Sequence, residues 1–183
     1  MTDTTARSLD SFDAVVYDLD GTLVRLDVDW DAVARDAVGV FDGHDVDAAG
    51  TDLWSMLDLA DEYDIRDDIE AVIAGHERTG ARTSARLTLA DRLLTHETPV
   101  GVCSLNSEGS VVIALETHGL TDAVDAVVGR DTVATRKPDP EPLLETLRRL
   151  AVDPGRAVFV GDSPRDRLTA ERAGVAYRAV ETF

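Results

Sequence analysis

Apolar runs that end in polar residues recur along this chain, and helical patterns separate them. AVVYDLDGTL (14–23), PVGVCSLNS (99–107), DAVVGRD (125–131) and RAVFVGDSPRD (156–166) begin as uninterrupted β-type runs and then turn to Asp, Gly, Ser or Asn. GVAYRAV (174–180) supplies a last strand. Uninterrupted apolar runs are the mark of strands buried on both faces. Helices are predicted over 108–118, ending before Gly119, over 139–151, with Pro140 and Pro142 in the first turn, and over 164–173, ending before Gly174. Strands alternating with helices specify an α/β fold with a doubly wound parallel sheet. Ligands bind such sheets at the C-terminal strand edge, where the strand order reverses. The polar residues that end the runs all fall at that edge.

Residues 24–95 break the rhythm. They show helical periodicity around Trp30, Val33, Ala37 and Val40, and again around Leu53, Trp54, Leu57 and Leu59, with hardly any strand signal. The segment reads as a helical insert after the first strand, with 1–23 and 96–183 forming one core domain and 24–95 a second unit.

Composition narrows the function. At 183 residues the chain suits one ordinary domain carrying an insertion. The single Cys103 excludes a disulfide framework and a cysteine-rich zinc site. No apolar run reaches the roughly 20 residues of a membrane helix, and MTDTTARSLDSFD has no apolar core of a secretory signal, so a cytoplasmic location is expected. Thirty-six acids oppose 18 basic residues, a net charge of −18. Nucleic acid and anionic membrane are therefore not expected as partners. Only Lys137 is a lysine, only Asn106 an asparagine, and Asp outnumbers Glu 26 to 10. This composition resembles the proteins of salt-accumulating halophilic archaea.

Asp18 and Asp20 flank Leu19, so an extended strand points both carboxylates the same way. Their repulsion is relieved by a cation or by protonation of one; an ordinary Asp-Gly turn is the plainer reading. Asp162 and Asp166 sit one turn apart in Gly161-Asp162-Ser163-Pro164-Arg165-Asp166. A helix N-cap followed by Pro accounts for one of these acids but not for both. Lys137, alone in a chain that otherwise uses Arg, marks a position needing a compact ammonium. Ser104-Leu105-Asn106, at the end of a strand, offers a hydroxyl and backbone N–H groups to an anion.

In this order, DLDGTL, the strand ending in Ser104, KPDP and GDSPRD resemble the four motifs of the haloacid dehalogenase-like (HAD) hydrolase superfamily, nearest its phosphoglycolate phosphatase-like branch. The resemblance implies a Rossmann-like HAD core with a helical cap where the insert falls. It implies a Mg²⁺-dependent phosphatase acting on a small phosphorylated metabolite, as a monomer or small homo-oligomer. Asp18 would be the nucleophile that becomes an aspartyl-phosphate, and Asp20 the acid and then the base. Asp18, the Asp20 carbonyl and Asp162 would hold Mg²⁺, and Asp166 would hold a metal-bound water or orient Lys137. Ser104, Asn106 and Lys137 would bind the transferring oxygens.

Alternatives remain on the sequence alone. Ser-Leu-Asn departs from the common Thr-Asn pair and is similar to the Ser-x-Ser form of phosphomutases, which leaves a sugar-phosphate mutase open. A HAD-like protein that binds without catalysis is another. A receiver domain fits poorly, because the acid pair is on the first strand and GDSPRD follows the lysine. Arg78, Arg82 and Arg86, spaced at i, i+4 and i+8, would line one face of a helix and grip an anionic substrate, although Gly80 weakens that helix. Surface pairing with cap carboxylates is the competing account.

Overall fold

The computed structural model describes residues 8–183. Residues 1–7, and with them most of the N-terminal leader reading, lie outside the described residues. Five strands, β1 (Ala14–Tyr17), β4 (Val100–Cys103), β5 (Ala126–Val128), β6 (Ala157–Gly161) and β7 (Ala176–Ala179), form one parallel sheet in the order β5-β4-β1-β6-β7. β1 is central, pairing Val15 with Val100 on one side and with Val158 on the other. The chain fills the β4–β5 side first and then crosses to β6 and β7. The order therefore reverses about β1, and the C-terminal ends of β4, β1 and β6 frame the crevice.

Strand alternation explains the two-sided burial. Val15 and Tyr17 pack with Val102, Val111, Leu115 and Val160 in one cluster. Ala14 and Val16 pack with Cys103, Leu143, Leu147 and Phe159 in a second. α5 (Glu108–Thr117) covers the first face; α6 (Glu141–Leu150) and α7 (Pro164–Ala173) cover the other. These helices lie where the sequence predicts them, within a few residues.

The insert has its own core. α1 (Trp30–Gly43) buries Val33, Ala37 and Phe41, α2 (Leu53–Glu62) buries Met56, Leu57 and Ala60, and α3 (Arg66–Arg82) buries Ile69 and Ile73. Asp29 and Asp52 cap α1 and α2 by accepting bonds from Ala32 N and from Trp54 N and Ser55 N.

Two features of this region depart from the helix-only expectation. β2 (Val24–Arg25) and β3 (Ala85–Arg86) pair antiparallel at the point where the insert leaves and rejoins the sheet domain. Two-residue strands are too short to show a period. Further on, α4 (Ala90–Leu93) buries Ala90 and Leu93 in the main sheet cluster rather than in the insert's. The helix carrying Arg78 and Arg82 also continues through Gly80. A Cβ there would run into the Asp27 carbonyl, whose residue bonds Gly80 O through its own N–H at 3.2 Å. The glycine admits a backbone contact and does not end the helix.

Candidate active site

The tight turn after β1 sets the first acids. Leu19 O accepts from Thr22 N, Leu23 N and Val24 N, and Gly21 takes φ +84. Its missing side chain matters twice, since a Cβ on Gly21 would also collide with the Asp162 carboxylate. Asp18, buried, and Asp20 both line the same pocket, as the i, i+2 spacing predicts. Asp20 Oδ1 accepts from Leu26 N at 2.9 Å, which ties it to the base of the insert.

Lys137 is buried among acceptors. Its Nζ donates to Asp166 Oδ1 at 2.6 Å, Asp18 Oδ1 at 2.7 Å and Cys103 O at 3.1 Å. Burial alone would lower its pKa, but the Asp18 and Asp166 carboxylates more than reverse that, and the ammonium is held charged. Asp166 is also the third residue of α7. Its Oδ2 accepts from Ser163 N and Ser163 Oγ, while Ser163 Oγ accepts from Asp166 N, a complete capping box. Asp166 is a cap and a pocket residue at once: Oδ2 closes the helix end, and Oδ1 accepts from Lys137 Nζ.

Asp18, Asp162 and Asp166 each bring a carboxylate oxygen within 4.8 Å of the others. Burial pushes the pKa of Asp18 up, with Lys137 opposing and Asp166 and Asp162 adding to it; burial likewise raises Asp20 and Asp162. Three carboxylates around one ammonium leave negative charge uncompensated. This all-oxygen set fits a hard divalent cation. With both Asp166 oxygens engaged, Asp18 and Asp162 are the carboxylates available to hold one.

At the end of β4, Ser104 Oγ donates to Asn106 Oδ1 at 3.0 Å and accepts from Asn106 N at 3.1 Å. Asn106 and Leu105 line the pocket wall, and Ser104 is buried beside them. All seven sequence-derived site residues thus gather at the C-terminal edge of the sheet.

The arginine stripe does not reach it. α3 stops at Arg82, and Arg86 lies in β3, donating to His118 O and Asp91 Oδ1. Arg78, Arg82 and Arg86 are exposed, and none lines the pocket. Its guanidinium comes instead from Arg165 in the first turn of α7, 5.3 Å from the Trp54 ring centre. Trp30 and Trp54, read as core positions of the insert, complete the wall. Also missed were Glu77 and Arg130, buried behind Asn106. The pocket measures about 510 Å³.

The sequence model of the haloacid dehalogenase-like hydrolase family matches residues 15–180, the sheet and the insert together. The chain belongs to that family. A phosphoglycolate phosphatase of Rhodospirillum rubrum is 46% identical over 89 residues, covering 49% of this chain and 37% of the relative. The match with the first curated relatives thus spans little more than a third of their length. A pyrophosphatase (PpaX) of Bacillus pumilus is 26% identical over 175 residues, 90% of this chain and 81% of that one. Among solved structures, a HAD-superfamily hydrolase of subfamily IA from Geobacter sulfurreducens has a TM-score of 0.63 at 26% identity, covering 92% of this chain and 89% of that chain.

Proposed function

We propose that this HAD-family protein is a Mg²⁺-dependent phosphatase of small phosphorylated metabolites that works through a phosphorylated Asp18. The supporting observation is the convergence of Asp18, Asp20, Lys137 and Asp162 on one pocket at the strand edge. The curated relatives named phosphoglycolate phosphatase point the same way.

Lys137 on Oδ1 fixes the rotation of the Asp18 carboxylate. Among the described residues, Asp18 Oδ2 accepts no hydrogen bond. In the first half-reaction an Asp18 oxygen forms a bond to phosphorus, and the bond from phosphorus to the ester oxygen breaks. Asp20, whose raised pKa favours the proton-bearing form, gives that proton to the leaving oxygen. In the second half, the Asp20 carboxylate takes a proton from water as the water oxygen bonds to phosphorus. Inorganic phosphate leaves, and Asp18 is regenerated. Ser104, Asn106 and Lys137 offset charge on the non-bridging oxygens. Mg²⁺, held by Asp18, Asp162 and the Asp20 carbonyl, would let an anionic nucleophile approach an anionic ester.

The far wall carries Trp30, Trp54 and Arg165, so the leaving group meets aromatic surface and one guanidinium. A small leaving group bearing an anionic group suits that wall. The insert, residues 24–95, is read as the cap that supplies the two tryptophans, while Arg165 comes from α7 of the sheet domain.

The test is phosphate release from an aryl phosphate and from a panel including phosphoglycolate and pyrophosphate, with Mg²⁺ and with EDTA. Mg²⁺-dependent release that Asp18→Asn abolishes is expected. Absence of release from every ester in the panel would overturn the reading.

A further inference from the structure

The insert places one fully buried charged side chain against the sheet domain. Glu77 lies on α3 in line with Ile69 and Ile73, at i, i+4 and i+8. All its hydrogen-bond partners among the described residues are donors. Its Oε1 accepts from Arg130 Nη1 at 2.7 Å and from Asn106 Nδ2 at 3.1 Å. Its Oε2 accepts from Ser107 N at 3.0 Å and from Arg130 Nη2 at 3.3 Å. Arg130 has a fully buried side chain as well. It donates to Glu70, two helical turns before Glu77, with Nε and Nη2 at 2.9 and 2.8 Å from Oε2. Its Nη1 also donates to Leu105 O at 2.7 Å, and its backbone N–H donates to Asn106 O at 2.9 Å.

The pair thus bonds to Leu105, Asn106 and Ser107 in succession. The orientation of Asn106 follows from it. A carboxylate can only accept, so Asn106 must turn Nδ2 toward Glu77, which leaves Oδ1 to accept from Ser104 Oγ at 3.0 Å. Glu77, Asn106 and Ser104 form a directed chain. Stability alone does not explain such a cluster, because apolar residues of similar volume often hold two elements together as well as a buried ion pair does.

We propose that Glu77 is a positioning residue: through the Asn106 amide and the Ser107 N–H it sets the Ser104–Ser107 loop to receive phosphoryl oxygens, so that the insert tunes phosphate affinity. The role rests on the phosphatase reading of the same site. Glu77→Gln keeps the shape of the side chain. Every hydrogen-bond partner of the carboxylate is a donor, so the new NH₂ must face one of them, and facing Asn106 it favours the flipped amide.

The experiment measures KM and kcat for an aryl phosphate, and inhibition by inorganic phosphate, with Mg²⁺ throughout. In Glu77→Gln the KM and the phosphate inhibition constant should rise together by about tenfold, with kcat changed by less than about threefold. On an Asn106→Ala background, Glu77→Gln should cost clearly less than its roughly tenfold in the wild-type protein, because the amide route is already cut and only the Ser107 N–H contact is left. Constants within about twofold of wild type, or effects that multiply, overturn the role even if the melting temperature falls. Should Glu77→Gln not fold, hydrogen exchange at Ser107 N in the wild-type protein decides: strong protection supports the bond to Glu77, and exchange at open-loop rates overturns it. A wild-type protein that turns over no ester would overturn the phosphatase reading instead. Calorimetric phosphate binding, compared between wild type and Glu77→Gln, would still read the loop: weaker binding in the variant supports the role, and equal binding, or none to either protein, overturns it.

Discussion

Lys137 Nζ stands 2.7 Å from Asp18 Oδ1 and 2.6 Å from Asp166 Oδ1, so one ammonium bridges the acid that ends the first strand and the acid that opens the last helix. A third bond, to Cys103 O, uses the remaining direction of a tetrahedral donor. A planar guanidinium cannot point at three acceptors arranged around one atom, and the site is too buried to admit the larger group without displacement. Lys137→Arg should therefore lose more than about tenfold in kcat, close to the loss in Lys137→Ala. Near-normal turnover by the Arg variant would show that charge alone matters there.

Asp18→Asn keeps an acceptor for Lys137 but removes the proposed nucleophile. We expect a folded protein with no measurable turnover and no acid-stable, base-labile phosphoprotein after quenching. Asp20→Asn should also be crippled, because its amide cannot pass a proton, yet its Oδ1 can still accept from Leu26 N. If Asp18→Asn stays within about tenfold of wild type, a barrier change of only about 1.4 kcal/mol, the covalent mechanism is wrong.

The local rules of a strand and a helix end made most of the site legible. Asp18 with Asp20, Ser163 with Asp166 and the loop at Ser104 all follow from spacings of four residues or fewer, where backbone geometry fixes side-chain direction. Lys137 was visible through its rarity and through the KPDP motif, not through any local geometry. Where partners lie far apart in sequence, pattern said little: Glu77 and Arg130 meet across 53 positions. The signal that could have found them is a single acid on the Ile69–Ile73 stripe, and an arginine at the polar end of DAVVGRD. The arginine stripe failed for another reason. Spacing at four assumes a continuous helix, and this one ends at Arg82, before a two-residue strand takes Arg86 elsewhere.

Gly21 and Gly119 allow backbone strain to be separated from site damage. Both adopt positive φ, +84 and +64, but a Cβ at Gly119 meets open space while one at Gly21 meets Asp162. Either change to Ala should cost about 1–2 kcal/mol for the left-handed conformation. Only Gly21→Ala should also raise the Mg²⁺ concentration for half-maximal activity, because it moves Asp162, a carboxylate of the proposed cation site. Equal Mg²⁺ requirements in the two variants would remove Asp162 from that site.

The acidic surface is concentrated on the insert. Every carboxylate between Asp27 and Asp68 is exposed, and only Arg35 and Arg66 oppose them as permanent cations. At low ionic strength their mutual repulsion is poorly screened, and it disfavours the compact insert more than the sheet domain, where Lys137 is paired with Asp18 and Asp166. Raising KCl from 0.1 M to 2 M should therefore raise the melting temperature. Amide protection in α1 and α2 should grow more than in β1 and β6. Screening shortens the reach of a charge to about 10 Å at 0.1 M and about 3 Å at 1 M, so a gain that continues above 1 M points to hydration or bound ions beyond simple screening. A melting temperature flat across this range would rule out the salt-adapted reading of the composition, and a gain spread evenly over both units would show that the insert is not its seat.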